Sequence, residues 1–304
     1  MAVFDLVVIG DTNLDLLVKV KRFPSEDDEV EAQEVRYLPG GDAANTASQA
    51  ALLGLRTGLI SCVADDDHAK LLMKSLQSRG VDTSAVQIAG SKNTGMVIVT
   101  VREDGQRTMI ASRGANTDLT LGEAQRTLLN AARVVHICDP LPQVLKALPG
   151  LVDARQTTVS LDPGSISASM GVDDLASVLR LCRYVFLNQN ELHLLTRLLN
   201  PAESAQKVLA YGPEVLFLKC GADGCRIYTK SKQVSLPGFA VQSVDATGAG
   251  DAFDAAMIYA LLQGMPLAGA GRFANAAGAL TTLGLGAQTS QPDLSRINEF
   301  LHGR

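Results

Sequence analysis

The sequence predicts an α/β protein built on a mostly parallel central sheet, and three observations carry that prediction. Short runs rich in Val, Ile and Leu alternate with helix-length amphipathic stretches over most of the chain. Two stretches break that rhythm with strict apolar/polar alternation, and everything from Gly248 onward has helical spacing.

A strand covered by helices on both faces reads as a continuous apolar run. Residues 6–9, 57–63, 134–138, 158–161, 184–187 and 215–218 are such runs, and helical patterns cover 43–53, 68–78, 123–132, 175–181 and 191–199. Residues 16–21 and 30–38 alternate around an acidic turn at Pro24, while 96–102 and 107–111 flank Asp104-Gly105, a strong hairpin signal. Alternation leaves one face wet or against a ligand, so these pieces predict a small antiparallel sheet beside the main one. The alternative is an ordinary surface hairpin and a loop. The C-terminal helices are expected over 249–263, 267–283 and 292–302, the last with Pro292 at a favourable first-turn position. Gly284-Leu285-Gly286-Ala287 between them is too glycine-rich for helix and predicts a tight loop.

Composition narrows the function classes. With 304 residues, 46% of them hydrophobic, the chain buries a core without metals or disulfides. A net charge of −5 and the lack of any Lys/Arg-rich run argue against nucleic-acid and membrane-surface partners. Cys62, Cys138, Cys182, Cys220 and Cys225 form no C-x-x-C pair, four of them sit in apolar runs, and buried reduced thiols are expected. The N-terminus lacks a basic start and a cleavage site, and no apolar run reaches the roughly 18 residues that span a bilayer. The expectation is a cytoplasmic protein with a small-molecule partner.

The most informative segment is Asp245-Ala246-Thr247-Gly248-Ala249-Gly250-Asp251, where a loop meets a long helix. Small residues let backbone N–H groups approach an anion, and the helix start adds partial positive charge. Asp251, in the first turn, is placed to accept a proton from an attacking hydroxyl; alternatively it only complements the helix dipole. A second segment, Gly40-Gly41-Asp42-Ala43-Ala44-Asn45, again runs from glycines into helix, and the Asn45 amide suits a polyhydroxy ligand. Its bland version has Asp42 as N-cap and Asn45 as an exposed polar residue. Asn13 and Asp15, with Asp11, follow the first strand at the carboxyl end, where open α/β sheets bind ligands, although Asn and Asp are also ordinary turn residues.

Together these segments resemble the ribokinase-like, or PfkB, family of carbohydrate and nucleoside kinases. The GG-x-x-x-N-x-A signature is recognisable at Gly40–Ala47 and D-x-T-G-A-G-D at Asp245–Asp251, in the right order and about 200 residues apart, so the resemblance spans essentially the whole chain. It implies a three-layer α/β/α fold with a mostly parallel central sheet plus a small β-sheet lid. The α/β domain would comprise residues 1–12, 39–90 and 115–304, and the lid 13–38 and 91–114.

The resemblance also implies roles. Asp251 matches the base that deprotonates a substrate hydroxyl as it attacks the γ-phosphate of ATP, and Gly248, Ala249 and Gly250 match the anion hole. Asn13, Asp15, Gly40, Gly41 and Asn45 match the sugar side. Asn188 and Glu191 match an N-x-x-E element associated with Mg²⁺ through water. Lys219, Gly221 and Gly224 resemble the nucleotide-side strand and turn, and Asn275 a position near the adenine. Asp245 and Thr247, with carbonyls around Gly286 and Ser290, resemble a monovalent-cation (K⁺) loop. The lid would close over the sugar and form a homodimer.

Departures and rivals bear on the substrate. Many ribokinases carry Lys-Gly after the glycine pair, whereas Asp42-Ala43 stands here. Arg113 is placed to reach the sugar pocket and grip a carboxylate or phosphate, or is a solvated edge arginine. His136 and Asp139 follow a strand end near the same pocket, His136 alternatively as a core residue. A nucleoside kinase needs an apolar slot for the base, for which Tyr37, Phe23 and Met109 are the lid-side candidates, and the shortage of aromatics favours a sugar. A dehydrogenase reading rests on Gly269-Ala270-Gly271-Arg272-Phe273-Ala274, which follows no strand and so fails its context. A non-catalytic sugar-binding protein would have no use for a carboxylate beside an anion hole.

Overall fold

The computed structural model describes residues 3–103 and 106–303; the expected Asp104-Gly105 turn lies outside them. Strand β1 (Phe4–Ile9) lies inside the main sheet, with Leu6, Val7, Val8 and Ile9 fully buried, as helices on both sides require. The chain leaves the main sheet for β2 (Asn13–Val20) and β3 (Glu34–Gly40) and returns through α1 (Asp42–Leu52) and β4 (Thr57–Ile60). After β5 (Cys62–Ala64), α2 (Asp67–Ser78), β6 (Val81–Asp82) and β7 (Gln87–Ala89), it leaves again for β8 (Gly95–Arg102) and β9 (Arg107–Ser112), then a 3₁₀ turn at Gly114–Asp118.

The βα alternation resumes with α3 (Glu123–Asn130), β10 (Ala132–Cys138), α4 (Pro142–Leu151), β11 (Thr158–Asp162), α5 (Gly164–Met170) and α6 (Ala176–Leu179). It continues through β12 (Cys182–Asn188), α7 (Gln189–Thr196), α8 (Pro201–Leu209) and β13 (Val215–Lys219). A hairpin, β14 (Cys225–Thr229) and β15 (Gln233–Leu236), precedes α9 (Ala249–Leu262), α10 (Leu267–Thr281) and α11 (Leu294–His302).

The main sheet has the order β15-β14-β13-β12-β11-β10-β1-β4-β6, parallel except for the hairpin edge. Side chains of alternating parity enter two cores. Val7, Ile9 and Val135 meet the helices α3 to α8, and Leu6, Val8 and Val134 meet α1, α2 and α9 to α11. Helix α9 is buried around its whole circumference from Ala252 to Tyr259, as its unbroken apolar run demands, and alanines let α1 and α10 pack closely against it. A Cβ at Gly278 of α10 would lie 3.1 Å from the Ala249 carbonyl, so α10 braces the start of α9.

The small sheet, of order β3-β2-β8-β9, differs from the expected antiparallel one: β2 and β8 pair in parallel, Asn13 opposite Gly95. Only tight turns impose antiparallel pairing, and the β2 and β8 pieces are joined through the main domain instead. The apolar run 57–63 divides at Ser61 into β4 and β5. The helix expected over 191–199 stops at Thr196, where Arg197 takes a left-handed φ of 62°. Helices α4, α5 and α8 and the β14–β15 hairpin have no counterpart among the sequence expectations. All five cysteines are free, and four are buried. Among the described residues no helix is long and apolar enough to cross a membrane. The G-x-G-x-x-A segment lies within α10, where a Cβ at Gly271 would meet the Leu236 side chain at 2.3 Å, so Gly271 serves packing, while Gly269 faces open space.

Candidate active site

The order of the main sheet reverses at β1, which has β10 on one side and β4 on the other, and the carboxyl ends of such strands form a crevice. Asp11 follows β1, Asp139 follows β10, and Arg113 bridges them, donating from Nη1 to Asp11 Oδ2 at 3.2 Å and from Nη2 to Asp139 Oδ2. Its charge is thus matched by two carboxylates. Burial pushes Asp11 up to about 6, against the opposing pull of Arg113. His136 is wholly buried, with Nδ1 on Ser160 Oγ at 2.9 Å, and burial pushes it down to about 4, so it is a neutral core imidazole.

The N-terminus of α9 opens into the same crevice. Gly248 has a φ of 77°, and a Cβ there would lie 2.6 Å from the Ala287 carbonyl, so glycine is required for the loop to enter the helix this way. No side chain caps this end, and of its first N–H groups that of Ala249 donates to the Ala246 carbonyl at 3.3 Å. Asn45 Nδ2 donates to Asp251 Oδ2 at 2.8 Å, while Asn45 Oδ1 accepts from Gln288 Nε2 at 3.0 Å. Burial raises the Asp251 carboxyl to about 6, opposed by the Asn45 hydrogen bond and the Lys219 charge. Asn45 is buried rather than exposed. Gly41, not Asp42, is the N-cap of α1; the Asp42 side chain reaches solvent in the crevice, and its carboxyl is raised well above the ordinary range, chiefly by the Asp251 charge.

Asn13 and Asp15 lie on the crevice-facing side of β2. Asn13 Oδ1 accepts from Asn116 Nδ2 at 2.8 Å, and Asn116 also pairs with the Thr12 backbone, which locks the strand entry. Burial, reinforced by the charges of Asp245 and Asp251, raises Asp15 to about 7. A Cβ at Gly40 would sit 2.4 Å from Asp15 Oδ2, and one at Gly41 2.6 Å from the Asp11 carbonyl, so both glycines make room for this acidic wall. Register puts Leu38, Arg107 and Met109 on the same face as Asp15, and Val35, Tyr37 and Ile110 on the opposite face. Phe23 stacks under the Arg102 guanidinium at 5.4 Å. Of the aromatic or apolar residues expected to hold a base, only Met109 is on the inner face.

On the far side of the α9 terminus lies a cleft of about 710 Å³ lined by Lys219, Gly221, Gly224, Phe239, Gly250 and Asn275, a size suited to a small-molecule ligand. Its walls are mainly apolar. Asn275 Nδ2 donates to the Pro237 carbonyl at 3.0 Å, holding the wall in place. Gly221 and Gly224 both have left-handed φ, and a Cβ at Gly224 would lie 2.2 Å from the Leu236 carbonyl. Lys219 donates to Asp162 Oδ2 and, at 3.0 Å, to Asp254 Oδ2. Burial disfavours its charge, but Asp162 and Asp254 outweigh this and keep the ammonium protonated. A Cβ at Gly250 would be 3.4 Å from Lys219 Nζ, so this positive charge lies directly behind the helix terminus. Asn188 and Glu191 form a reciprocal capping box at the start of α7, and burial raises Glu191 to about 7.

The loop resembling a cation site is engaged internally. Asp245 Oδ1 accepts from Thr247 N at 3.0 Å, from Thr247 Oγ1 at 2.7 Å and from Arg107 Nη1 at 3.3 Å, and Oδ2 accepts from Gly286 N at 2.9 Å. Three donors crowd Oδ1 and one, the Gly286 N–H, is on Oδ2, so Oδ1 is fully engaged. Ser290 packs against Gly284, where a Cβ would be 1.9 Å from Ser290 Oγ. Arg107 thus already brings a positive charge to Asp245 Oδ1, the oxygen on which a bound cation would compete with it.

Of the residues expected at the site, Lys219, Gly221, Gly224, Gly250 and Asn275 line the cleft, Asn45 and Asp251 are hydrogen-bonded to each other, and Asn188 and Glu191 pair with each other at the start of α7. Gln288, Gln291, Asn116, Asp162, Asp254 and Arg107 were not anticipated. Only Asp254 carried a signal, one helical turn beyond Asp251.

A model described as pfkB family carbohydrate kinase matches residues 3–294. The chain is 32% identical over 295 residues to the ATP-dependent ribose-1-phosphate kinase of Halopiger xanaduensis, covering 97% of each. It is 29% identical over 300 residues to the ribokinase of Bacillus subtilis, covering 98% of this chain and 99% of the relative. The structure of Arabidopsis thaliana ribokinase complexed with ribose and ATP is similar with a TM-score of 0.89 at 27% identity, over 99% of both chains.

Proposed function

The chain belongs to the pfkB family of carbohydrate kinases, and from that membership we propose that it transfers the γ-phosphate of ATP to a hydroxymethyl group of a small sugar or sugar derivative, with Asp251 as base. As an enzyme it is a phosphotransferase with an alcohol group as acceptor. The observation that carries the mechanism is the Asp251 carboxylate, oriented by Asn45 and set beside an uncapped helix N-terminus.

In this reading ATP occupies the apolar cleft with its phosphates toward α9, and the sugar lies against Asn13, Asp15, Gly41 and Asn45. Asp251 accepts the hydroxyl proton as the alcohol oxygen attacks the γ-phosphorus, the bond to the β–γ bridging oxygen breaks, and ADP leaves. The N–H groups of Gly248, Ala249 and Gly250 stabilise the charge on the transferring group, with the Lys219 ammonium behind them. Asp11, Asp15, Asp42, Asp139, Asp162, Glu191, Asp251 and Asp254 outnumber Lys219 and Arg113 around the site, a balance that suits a divalent cation. Glu191, with Asn188, would hold Mg²⁺ through water, and the bound metal would neutralise phosphate charge.

The same excess of carboxylates, with Arg113 already paired, favours a neutral acceptor over a sugar acid or sugar phosphate. The outward placement of Tyr37 favours a sugar over a nucleoside. Residues 13–38 and 91–114 act as the lid, whose outer face, with Val35, Tyr37 and Ile110 exposed, pairs with a second copy. Free buried thiols fit a cytoplasmic enzyme. The test is a coupled ADP-release screen with ATP and Mg²⁺ against neutral sugars, sugar acids, sugar phosphates and nucleosides. Turnover highest with a neutral sugar supports the reading, and ADP release with no acceptor tested would contradict it.

A further inference from the structure

Arg107, at the start of β9 in the small sheet, is the one inner-face residue there that reaches across to the α9 loop as a cation among the described ion pairs. Its Nη1 donates to Thr247 Oγ1 at 2.8 Å and reaches Asp245 Oδ1 at 3.3 Å. The Thr247 hydroxyl in turn donates to Asp245 Oδ1 at 2.7 Å, so guanidinium, hydroxyl and carboxylate form one chain of hydrogen bonds. Thr247 immediately precedes Gly248, and Asp245 Oδ2 holds the Gly286 N–H at 2.9 Å, next to the Ala287 backbone on which Gly248 rests. Leu38 of β3 touches the same loop from a second strand, since a Cβ at Gly286 would be 2.6 Å from Leu38 Cδ1.

We infer that Arg107 is the built-in cation of this loop: its guanidinium takes the place of a monovalent ion at Asp245 and ties the position of the small sheet to the shape of the anion hole. The inference deepens the kinase reading and rests on it. A guanidinium suits the task because it presents several donors in a plane to an acceptor pair, and it comes from the lid. Only when the lid lies over the sugar is the Asp245 charge matched and the Gly248–Gly250 backbone held in place. Arg107 is therefore a positioning residue: it touches neither the sugar nor the transferring phosphoryl group. The consequence is an enzyme that does not depend on K⁺.

The experiment compares the full-length wild type with Arg107→Met and Arg107→Lys in KCl, NaCl and choline chloride at equal ionic strength, reading both turnover and Tm. Wild-type kcat and Tm should be the same in the three salts. Arg107→Met should lose about a hundredfold in kcat, the order expected for a misplaced catalytic loop, with KM for ATP changed less because the cleft walls around Gly224, Phe239 and Asn275 do not touch Arg107. KCl should restore part of that kcat and raise the variant's Tm as a ligand of the folded state does. Arg107→Lys, which keeps the charge, should lose less. A wild-type Tm or kcat that rises in KCl over choline chloride would overturn the inference, as would an Arg107→Met enzyme with wild-type kcat. The Tm arm separates this inference from the kinase reading, because a wild type inactive on every acceptor still reports whether K⁺ binds.

Discussion

Asn45 Nδ2 and Asp251 Oδ2 are joined by a 2.8 Å hydrogen bond across 206 positions of chain. Gln288 fixes which way the Asn45 amide faces, Gln291 holds the Asn45 backbone carbonyl at 2.8 Å, and Arg79 braces the Gln288 carbonyl at 2.9 Å. The two signature segments therefore meet at one carboxylate. Asn45→Leu should lower kcat about a hundredfold while leaving KM for ATP within about twofold, measured by steady-state kinetics with saturating sugar. An unchanged kcat would remove Asn45 from the positioning of the base.

The pH profile should carry the Asp251 carboxyl. A base must be ionised, so with its value near 6, kcat/KM should fall about tenfold per pH unit below about pH 6 and level off above it. Stability runs the other way. Asp11, Asp15, Asp251 and Glu191 all have folded values raised above their ordinary ones, so the stability they contribute is present at low pH and lost as pH rises through about 6 to about 7. The ligand-free protein should have a higher Tm near pH 5.5 than near pH 8, and Asp15→Asn should reduce that difference. A Tm that climbs over this interval in both proteins would contradict the burial argument.

Gly40 tests the sugar side. Gly40→Ala pushes a methyl group into the Asp15 carboxylate, so it should raise KM for the sugar as Asp15→Ala does, with ATP affinity intact. Isothermal titration with the sugar and with ATP separates the two. A loss of ATP binding instead would place Asp15 on the wrong side of the site.

Gly248→Ala combines a left-handed φ with a 2.6 Å approach to the Ala287 carbonyl. The loop must shift, and kcat should fall about a hundredfold to a thousandfold, the loss typical of a damaged oxyanion hole. Strain of about 1–3 kcal/mol should also appear in urea unfolding.

The outer face of the small sheet predicts self-association. Ile110 is 70% exposed and Tyr37 56%, with Val35 beside them; an exposed apolar patch on a sheet commonly marks an interface. Light scattering should give a dimer for the wild type and a monomer for Ile110→Asp. A monomeric wild type would refute it.

How far the sequence could be read depended on the range of each signal. The buried strands, α1, α9 and α10 were legible because their apolar runs and glycine starts are local patterns. Helices α4 and α8 begin with Pro142 and Pro201 at the first turn, a weak cue beside their short apolar patterns, and the small sheet's parallel centre depends on a pairing between Asn13 and Gly95 that no local pattern encodes. At the site, Asp251 and the glycines stood out through their motif. Gln288, Asn116 and Arg107 act through contacts more than a hundred positions away in sequence, with residue types that look like ordinary surface polar groups until the fold brings them together.

The central claim is that Asp251 is the base, and the most direct measurement is the turnover of Asp251→Asn, which keeps the size and the hydrogen-bonding reach of the side chain. Single-turnover kinetics with the best acceptor should show phosphoryl transfer slowed by about 10²–10⁴-fold, while titration shows ATP and sugar still bound. Transfer at near the wild-type rate, with both ligands bound, would contradict the account.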